Sequence, residues 1–228
     1  MPSPSSAEPA KRSRRKEARP GELLDAALDL FVEKGFAATR VEEVAARAGV
    51  SKGTLFLYFP SKLELFKAVV RQNFGGRFSE WEQELATYQG SSADLLRMCF
   101  ALWWERIGST KAGGITKLIL SESGNFPEMA AFYRQEVVEV GEGLVRQILQ
   151  RGMDSGEFRP IDPRQGMYLV LTPMIFLMMW KHSVGMCMPG NLEFNLTPEE
   201  YIHLQVENLL HGLCTRQPSP STTPSSLP

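Results

Sequence analysis

Apolar residues recur along most of the chain at spacings of three and four, and no segment alternates strictly between apolar and polar residues. Such spacing places apolar side chains on one face of an α-helix, whereas alternation is typical of a strand. The first clear stripe lies between about Gly21 and Lys34 and consists of Leu23, Leu24, Ala27, Leu28, Phe31 and Val32. The pattern predicts an all-α protein.

Start and stop signals divide the chain into nine predicted helices. These cover residues 21–34, 40–48, 52–59, 62–85, 92–108, 113–123, 127–152, 163–187 and 198–215. Four of the starts carry a side chain that can cap the first turn, namely Thr39, Ser61, Asp162 and Thr197. We expect Thr39 to pair with Glu42 in a capping box. Gly35 and Gly49 end the first two helices.

The segment Val41–Phe59 fits a helix-turn-helix. Two short helices that cross at a sharp angle need a small residue at their contact, and Ala45 provides it. The turn needs a residue at positive φ, which Gly49 supplies four positions later. Apolar residues flank these two positions, namely Val44, Val50 and Leu55. A short amphipathic helix pair inside an ordinary bundle would carry a similar pattern, so this alternative stays open.

Charge is unevenly distributed in a chain whose formal net charge is −1. No acidic residue lies between Glu43 and Glu64, while Arg47, Lys52 and Lys62 fall in that window. We therefore expect a locally positive face on the third helix, suited to phosphate groups.

The string from Thr39 to Phe66, TRVEEVAARAGVSKGTLFLYFPSKLELF, resembles the DNA-binding signature of the TetR family of bacterial regulators. The similarity spans Gly21 to about Val69. The resemblance implies an N-terminal three-helix helix-turn-helix domain and a larger C-terminal helical domain that binds a ligand and forms a homodimer. It also implies a transcriptional regulator, here predicted to be a repressor, that binds a palindromic operator on double-stranded DNA.

The resemblance also implies which residues contact DNA. They are Arg40, Ser51, Lys52, Gly53, Thr54, Phe56, Leu57, Tyr58 and Lys62. Arg40 replaces a small hydroxyl residue usual in the family and would contact a phosphate as a charge, and Tyr58 and Lys62 would hold the DNA backbone. Leu57 is placed to touch a thymine methyl group. Phe56 stands where the family often has Tyr, so a hydroxyl that could bond a phosphate is missing.

Composition and the resemblance together predict four segments. These are a disordered basic arm at 1–19, the DNA-binding domain at 20–67, an effector-binding and dimerisation domain at 68–216, and a disordered tail at 217–228. The arm carries six Lys or Arg against two Glu, and the tail is almost wholly Pro, Ser and Thr. Neither can bury enough apolar surface to offset its ordering entropy. The arm is either a solvated tail or a segment that lies along phosphates or in the minor groove.

The C-terminal segment is rich in Met and aromatic residues, which suit an adaptable apolar cavity, although each one taken alone is more often ordinary core. The resemblance implies an effector pocket there, with the candidate residues Phe100, Trp103, Trp104, Met129, Phe132, Met174, Met178 and His182. Such a pocket predicts a small apolar effector that releases the protein from DNA. We expect His182, Lys181 or Glu105 to orient the effector.

The last predicted helix carries an apolar stripe spaced by four, three and four residues, namely Ile202, Val206, Leu209 and Leu213. A stripe of this kind is a packing seam. The resemblance implies that Val206, Leu209 and Leu213 form the dimer interface, in which this helix and the predicted helix 163–187 of each protomer make a four-helix contact. The seam could instead pack within its own protomer. A dimer would place two reading helices at successive major grooves, about 34 Å apart.

Other classes of function find little support in the residues. No GxSxG, GxGxxG, Walker or HExxH motif occurs, so we expect no enzyme, no catalytic residue and no cofactor. Three cysteines without CxxC spacing argue against zinc or another metal and fit buried thiols in a reducing cytoplasm. The longest apolar stretch, Met167–Trp180, is too short to span a membrane. The alternative function is a TetR-like protein that binds DNA without a ligand, for example on the chromosome.

Overall fold

The computed structural model describes residues 8–183, 185 and 196–215, and describes side chains from residue 20 onward. In chain order the helices are α1 (Glu8–Lys34), α2 (Val41–Arg47), α3 (Lys52–Tyr58), α4 (Lys62–Val70), α5 (Gly76–Thr87), α6 (Ser92–Trp103), α7 (Gly113–Glu122), α8 (Pro127–Tyr133), α9 (Glu139–Asp154), α10 (Pro163–Lys181) and α11 (Pro198–Leu213). Short π-helical turns follow α4, α6 and α8, at Arg71–Gly75, Trp104–Gly108 and Arg134–Val138. The all-α prediction is confirmed for the described residues.

The first helix is longer than predicted. It begins at Glu8, whereas the sequence placed its start at Gly21 and a disordered arm before it. Residues 10–19 consist of Ala, Arg, Lys and Glu with one Ser, and most of these are strong helix formers. The helix therefore continues backward through them despite Pro20. The predicted tail at 217–228 and the end of the helix predicted to reach 187 lie outside the described residues.

Capping side chains fix where three of the helices begin. Each accepts a hydrogen bond from an N–H group of the first turn, as predicted, and the three are Ser61, Asp162 and Thr197. Glu200 completes a capping box, because its Oε2 accepts from the Thr197 N–H at 2.7 Å. These starts are set by groups only two or three residues apart in the chain.

The predicted cap at Thr39 is wrong by one residue. The N-cap of α2 is Arg40, and its N–H donates at 3.3 Å to Glu43, whereas the prediction named Glu42 as the acid of the capping box. The Thr39 hydroxyl is buried instead, and it lies within hydrogen-bond distance of the Leu30 carbonyl at 3.1 Å and the Gly35 carbonyl at 2.7 Å. Thr39 therefore ties the segment before α2 to the end of α1.

The described residues fall into two compact units. The first comprises the chain up to Gly76 together with Lys111–Val137, and the second comprises Arg77–Thr110 and the chain from Val138 onward. This division does not coincide with a boundary after residue 67, because α7 and α8 belong to the same unit as α1–α4. The chain therefore passes between the units three times.

Aromatic packing joins the start of α8 to α1, α4 and the connection from α1 to α2 within the first unit. The rings of Phe31, Phe36 and Phe66 lie with their centroids 5.5, 5.8 and 5.9 Å apart, and all three side chains are buried. Phe126, just after α7, meets Phe36 edge-on at 4.9 Å. Tilted and edge-on aromatic pairs at such distances add to the gain from burial.

The second unit packs α6, α9, α10 and α11 around buried side chains that include Phe100 and Leu149. Arg97 of α6 donates two hydrogen bonds to Glu207 of α11, at 2.6 and 2.9 Å. Both side chains are mostly buried, and such a bidentate pair fixes geometry as well as charge.

Candidate nucleic-acid interface

The turn between α2 and α3 has the geometry that the sequence pattern required. Gly49 has a φ of +68°, a left-handed conformation that favours glycine. Its N–H donates to the Ala46 carbonyl at 3.1 Å, and the Val50 N–H donates to the Ala45 carbonyl at 2.9 Å. These two bonds form a Schellman motif that ends α2. The predicted helix-turn-helix is present in the first unit.

Helix α3 is fixed at its start and along its inner face. Ser51 is its N-cap and accepts from the Thr54 N–H at 3.1 Å, while the two hydroxyl oxygens lie 2.9 Å apart. Leu55 is fully buried, as is Val44 of α2. Because Leu55 faces the core, the opposite face of α3 is turned outward.

The outward face of α3 combines apolar and polar groups. Leu57 is 84% exposed and Phe56 is 39% exposed. Lys52 and Gly53 are exposed at the start of the helix, and Tyr58 is half-buried at its end. The Lys52 Nζ lies 5.7 Å from the centroid of the Phe56 ring. An exposed leucine here can meet a thymine methyl group, and the lysine can meet a phosphate.

The positive face predicted around α3 is smaller than the sequence indicated. The Lys52 Nζ lies 2.6 Å from an oxygen of Glu42, and Arg47 donates to Glu33 at 3.0 and 3.1 Å. The hydrogen bond from Lys52 lowers the pKa of Glu42, which keeps that carboxylate charged. Counting along the chain missed these two acids because folding brings them from α1 and α2. Arg40 is exposed at the N-cap of α2.

Lys62 is engaged with the protein itself. Its Nζ donates to three backbone carbonyls, those of Phe36 at 2.7 Å, Ala37 at 3.2 Å and Thr39 at 3.0 Å. It also lies 4.5 Å from the centroid of the Phe36 ring. Partial burial lowers the pKa of this lysine. These contacts favour a structural role over the contact with the DNA backbone that the resemblance implied.

The residues predicted to line the effector pocket divide between the two units. Met129 and Phe132 lie in the first unit, where the Arg71 guanidinium stacks 5.0 Å from the Phe132 ring centroid. The other six lie in the second unit. All eight are buried except His182, which is half-buried. Burial alone does not distinguish pocket walls from ordinary core.

A cavity of about 230 Å³ lies within the second unit, between the π-turn after α6 and the helices α10 and α11. Its walls include Trp104, Leu177, Lys181 and Tyr201. The Lys181 Nζ lies 5.0 Å from a Trp104 ring centroid and donates to the Ser109 carbonyl. Partial burial lowers the pKa of Lys181. Of the eight predicted pocket residues Trp104 lines this cavity, and sequence reasoning missed the contribution of α11.

The predicted dimer seam lies largely inside one protomer. Val206 and Leu213 are buried, and Leu209 is half-buried. Helix α11, which carries them, packs against α6 and α10 within the second unit, and their place in a dimer interface stays a prediction. A helical period shows that α11 has an apolar face, but the tertiary structure decides which neighbour covers it. Large apolar side chains are exposed instead on α10, namely Tyr168, Leu169, Ile175 and Phe176.

No group of three or more metal-ligating side chains that could hold an ion occurs among the described residues. Over the same part of the chain, none of the helices is both long enough and apolar enough to cross a membrane.

Comparison with known proteins adds a family to this geometry. Residues 23–69, which contain α2 and α3, match the family model of bacterial regulatory proteins, tetR family. In this segment the chain resembles the tetR family. The HTH-type transcriptional regulator RutR of Escherichia coli (strain K12) is 53% identical over 62 residues, which are 27% of this chain and 29% of RutR. This chain therefore aligns with less than a third of that relative's length.

Solved structures of bacterial regulators extend the likeness of fold beyond the helix-turn-helix. The fatty acid degradation regulator FadR from Bacillus halodurans has a TM-score of 0.68 at 20% identity, covering 84% of this chain and 94% of that one. FadR from Bacillus subtilis in complex with stearoyl-CoA has a TM-score of 0.59 at 18% identity, covering 84% and 98%. Likeness at such low identity shows the fold alone.

Proposed function

We propose that this protein is a transcriptional repressor of the tetR family that acts in the cytoplasm and reads operator DNA with α3. The observation that carries the proposal is the outward face of α3, where Leu57 and Phe56 are exposed on a helix that buried Leu55 anchors. A helix of this kind fits the major groove of B-DNA, where a leucine can read thymine methyl groups. Exposed Lys52 and Arg40 would contact phosphates.

We infer that the protein binds DNA as a homodimer. A single reading helix of seven residues contacts few base pairs, whereas two copies about 34 Å apart read a palindrome. Helix α10 offers a surface for pairing, because Tyr168, Leu169, Ile175 and Phe176 are exposed along it. A run of large apolar side chains on one exposed helix face is the kind of surface that a second copy covers.

The effector that we propose is a small apolar molecule bound in the cavity of the second unit. The aromatic and aliphatic walls, with Trp104 and Leu177 among them, suit an apolar body, and Lys181 suits an acidic or polar end. One protein of similar fold is a fatty acid degradation regulator by name, and another, the transcriptional regulator FadR from Bacillus subtilis, was solved in complex with stearoyl-CoA. An effector that binds better to a conformation with low affinity for DNA shifts the protein toward that conformation. The ratio of the effector's affinities for the two conformations then sets how far the DNA affinity falls.

The test begins with duplexes selected from a random pool by the wild-type protein and measured by fluorescence anisotropy. Leu57→Ala is expected to relax the preference at one base pair by about 1 kcal/mol or more. The matched control is Leu120→Ala, because Leu120 is an exposed leucine on α7 of the same unit. Selection that yields no preferred sequence, or a Leu57→Ala variant that weakens all duplexes alike, contradicts the proposal.

The effector is tested by adding stearoyl-CoA, and separately free fatty acids, to the preformed complex with a selected duplex. Release of the duplex at micromolar ligand supports the proposed mechanism. Sequence-specific binding that no apolar ligand alters favours the ligand-independent alternative instead.

A further inference from the structure

A carboxylate at the end of α7 holds the segment that leads into the helix-turn-helix. Glu122 is the last residue of α7, and its Oε1 accepts from the Phe36 N–H at 2.7 Å. Its Oε2 accepts from the Ala37 N–H at 2.9 Å. The two donors lie 86 and 85 residues earlier in the chain, so this is a long-range contact between α7 and the connection from α1 to α2.

The position of Glu122 is electrostatically unusual for a helix. The carboxyl end of a helix carries partial negative charge, which disfavours an acid there. The two N–H groups of residues 36 and 37 offset this cost, because bonds to a charged acceptor are stronger than neutral ones. Gly35 makes the approach possible: its φ is +88°, and a Cβ at that position would lie 2.4 Å from Oε1 of Glu122.

The same segment is held from its other side by α4. Lys62 donates to the carbonyls of residues 36, 37 and 39, while Glu122 takes the N–H groups of residues 36 and 37. Thr39 then leads directly into Arg40, the N-cap of α2. The start of α2 is therefore placed by one cation from α4 and one anion from α7.

Residues on both sides of α7 contact α1 and the connection from α1 to α2. Lys111, just before α7, pairs with Asp29 of α1. At the other end, Phe126 packs against Phe36 beside the Glu122 contact. All of these residues belong to the first unit, and the chain enters that unit at Lys111 directly from the second.

We propose that Glu122 is a positioning residue for DNA binding, through which α7 sets the placement of α2 and the reading helix α3. The inference rests on the proposed function and deepens it. It names α7 as a route by which a change elsewhere in the chain alters DNA affinity. Glu122 itself touches no DNA in this scheme.

Removing the Glu122 carboxylate changes the affinity for DNA in opposite directions, according to whether the residue acts by positioning or by its charge alone. Removing a negative charge from a DNA-binding unit strengthens binding if charge alone matters. Positioning predicts the opposite: Glu122→Ala should weaken binding to a selected duplex about ten-fold, with binding to scrambled duplex little changed. Glu122→Gln keeps one acceptor oxygen and should lie between the two. The affinities are measured by anisotropy at a temperature where every variant is folded.

The matched control is Glu128→Ala, because Glu128 is an exposed glutamate on α8 in the same unit. That variant also loses one negative charge, but it keeps the hydrogen bonds of Glu122 to the Phe36 and Ala37 N–H groups. Its affinity for the selected duplex should therefore equal or slightly exceed that of wild type. Amide hydrogen exchange supplies a second measurement: protection of the Phe36 and Ala37 N–H groups should fall in Glu122→Gln and not in Glu128→Ala.

The outcomes separate the two proposals. If wild type selects no duplex, the proposed function fails and the positioning role falls with it. If wild type selects a duplex that Glu122→Ala binds equally well, the positioning role alone is overturned, even when the variant melts earlier. If Glu122→Ala does not fold, affinity and exchange of Glu122→Gln decide in the same way.

Discussion

The substitution Lys62→Met tests whether Lys62 stabilises the fold or contacts the DNA backbone. The ammonium group makes three hydrogen bonds to carbonyls, and a bond from a charged donor contributes about 1.5–3 kcal/mol when it is buried. Lys62 is only partly buried, so water can replace part of this, and methionine keeps an unbranched apolar stem while it loses the ammonium group 4.5 Å from the Phe36 ring centroid. We therefore expect a loss of about 2 kcal/mol in the free energy of unfolding.

The assay has two arms. Thermal unfolding followed by circular dichroism should show Tm lower by about 4–8 °C, the shift that about 2 kcal/mol produces in a protein of this size. Anisotropy over a range of salt concentrations should show an unchanged slope of log affinity against log salt. A lysine on a phosphate would instead contribute about one unit of that slope per protomer.

The matched control is Lys52→Met. Lys52 is exposed at the start of α3, and its pairing with Glu42 at the surface adds little stability. We expect this variant to lower the salt slope and to leave Tm nearly unchanged. The reasoning on Lys62 is refuted if Lys62→Met melts like wild type and lowers the slope as Lys52→Met does.

Three further predictions each concern a single residue. Gly49→Ala forces a side chain into a left-handed conformation and should cost about 1 kcal/mol in urea unfolding; equal midpoints would contradict this. Tyr168→Glu, at a side chain 67% exposed, should yield monomers in light scattering, whereas Leu120→Glu should not. The bond from Arg97 lowers the pKa of Glu207, so its stabilisation exists above the unfolded value, about 4.3, and is lost as pH falls through the folded value. Glu207→Gln should flatten that acid-side loss, and an unchanged slope would refute the assignment.

The ion pairs around α3 change how the candidate interface is understood. A surface with Lys52 beside Glu42 and Arg47 beside Glu33 has less unpaired positive charge than a count of basic residues suggests. Such pairs are weak in water, so Lys52 can exchange its carboxylate for a phosphate at small cost. We expect the carboxylate of Glu42 to reduce binding to non-specific DNA, because it repels phosphates wherever Lys52 has not moved from Glu42 to a phosphate.

The sequence by itself determined the features that depend on neighbours a few residues apart. The helices, the starts at Ser61, Asp162 and Thr197, and the turn at Gly49 all follow from spacing, capping and backbone conformation. The same local signals place the segment that resembles the TetR-family signature on α2 and α3. The start of α1 was misplaced because the basic composition of residues 1–19 indicated disorder, whereas the helix formers among them continue the helix.

Only the tertiary structure decided which groups meet over long separations. Sequence spacing could not show that Glu122 binds N–H groups 85 and 86 residues away, or that Lys62 turns toward three carbonyls. It could not show that Val206 faces its own protomer while Tyr168 is exposed. The physical reason is that helical periodicity defines an apolar face without naming its partner. A charged side chain likewise takes whichever opposite group the packed helices bring within reach.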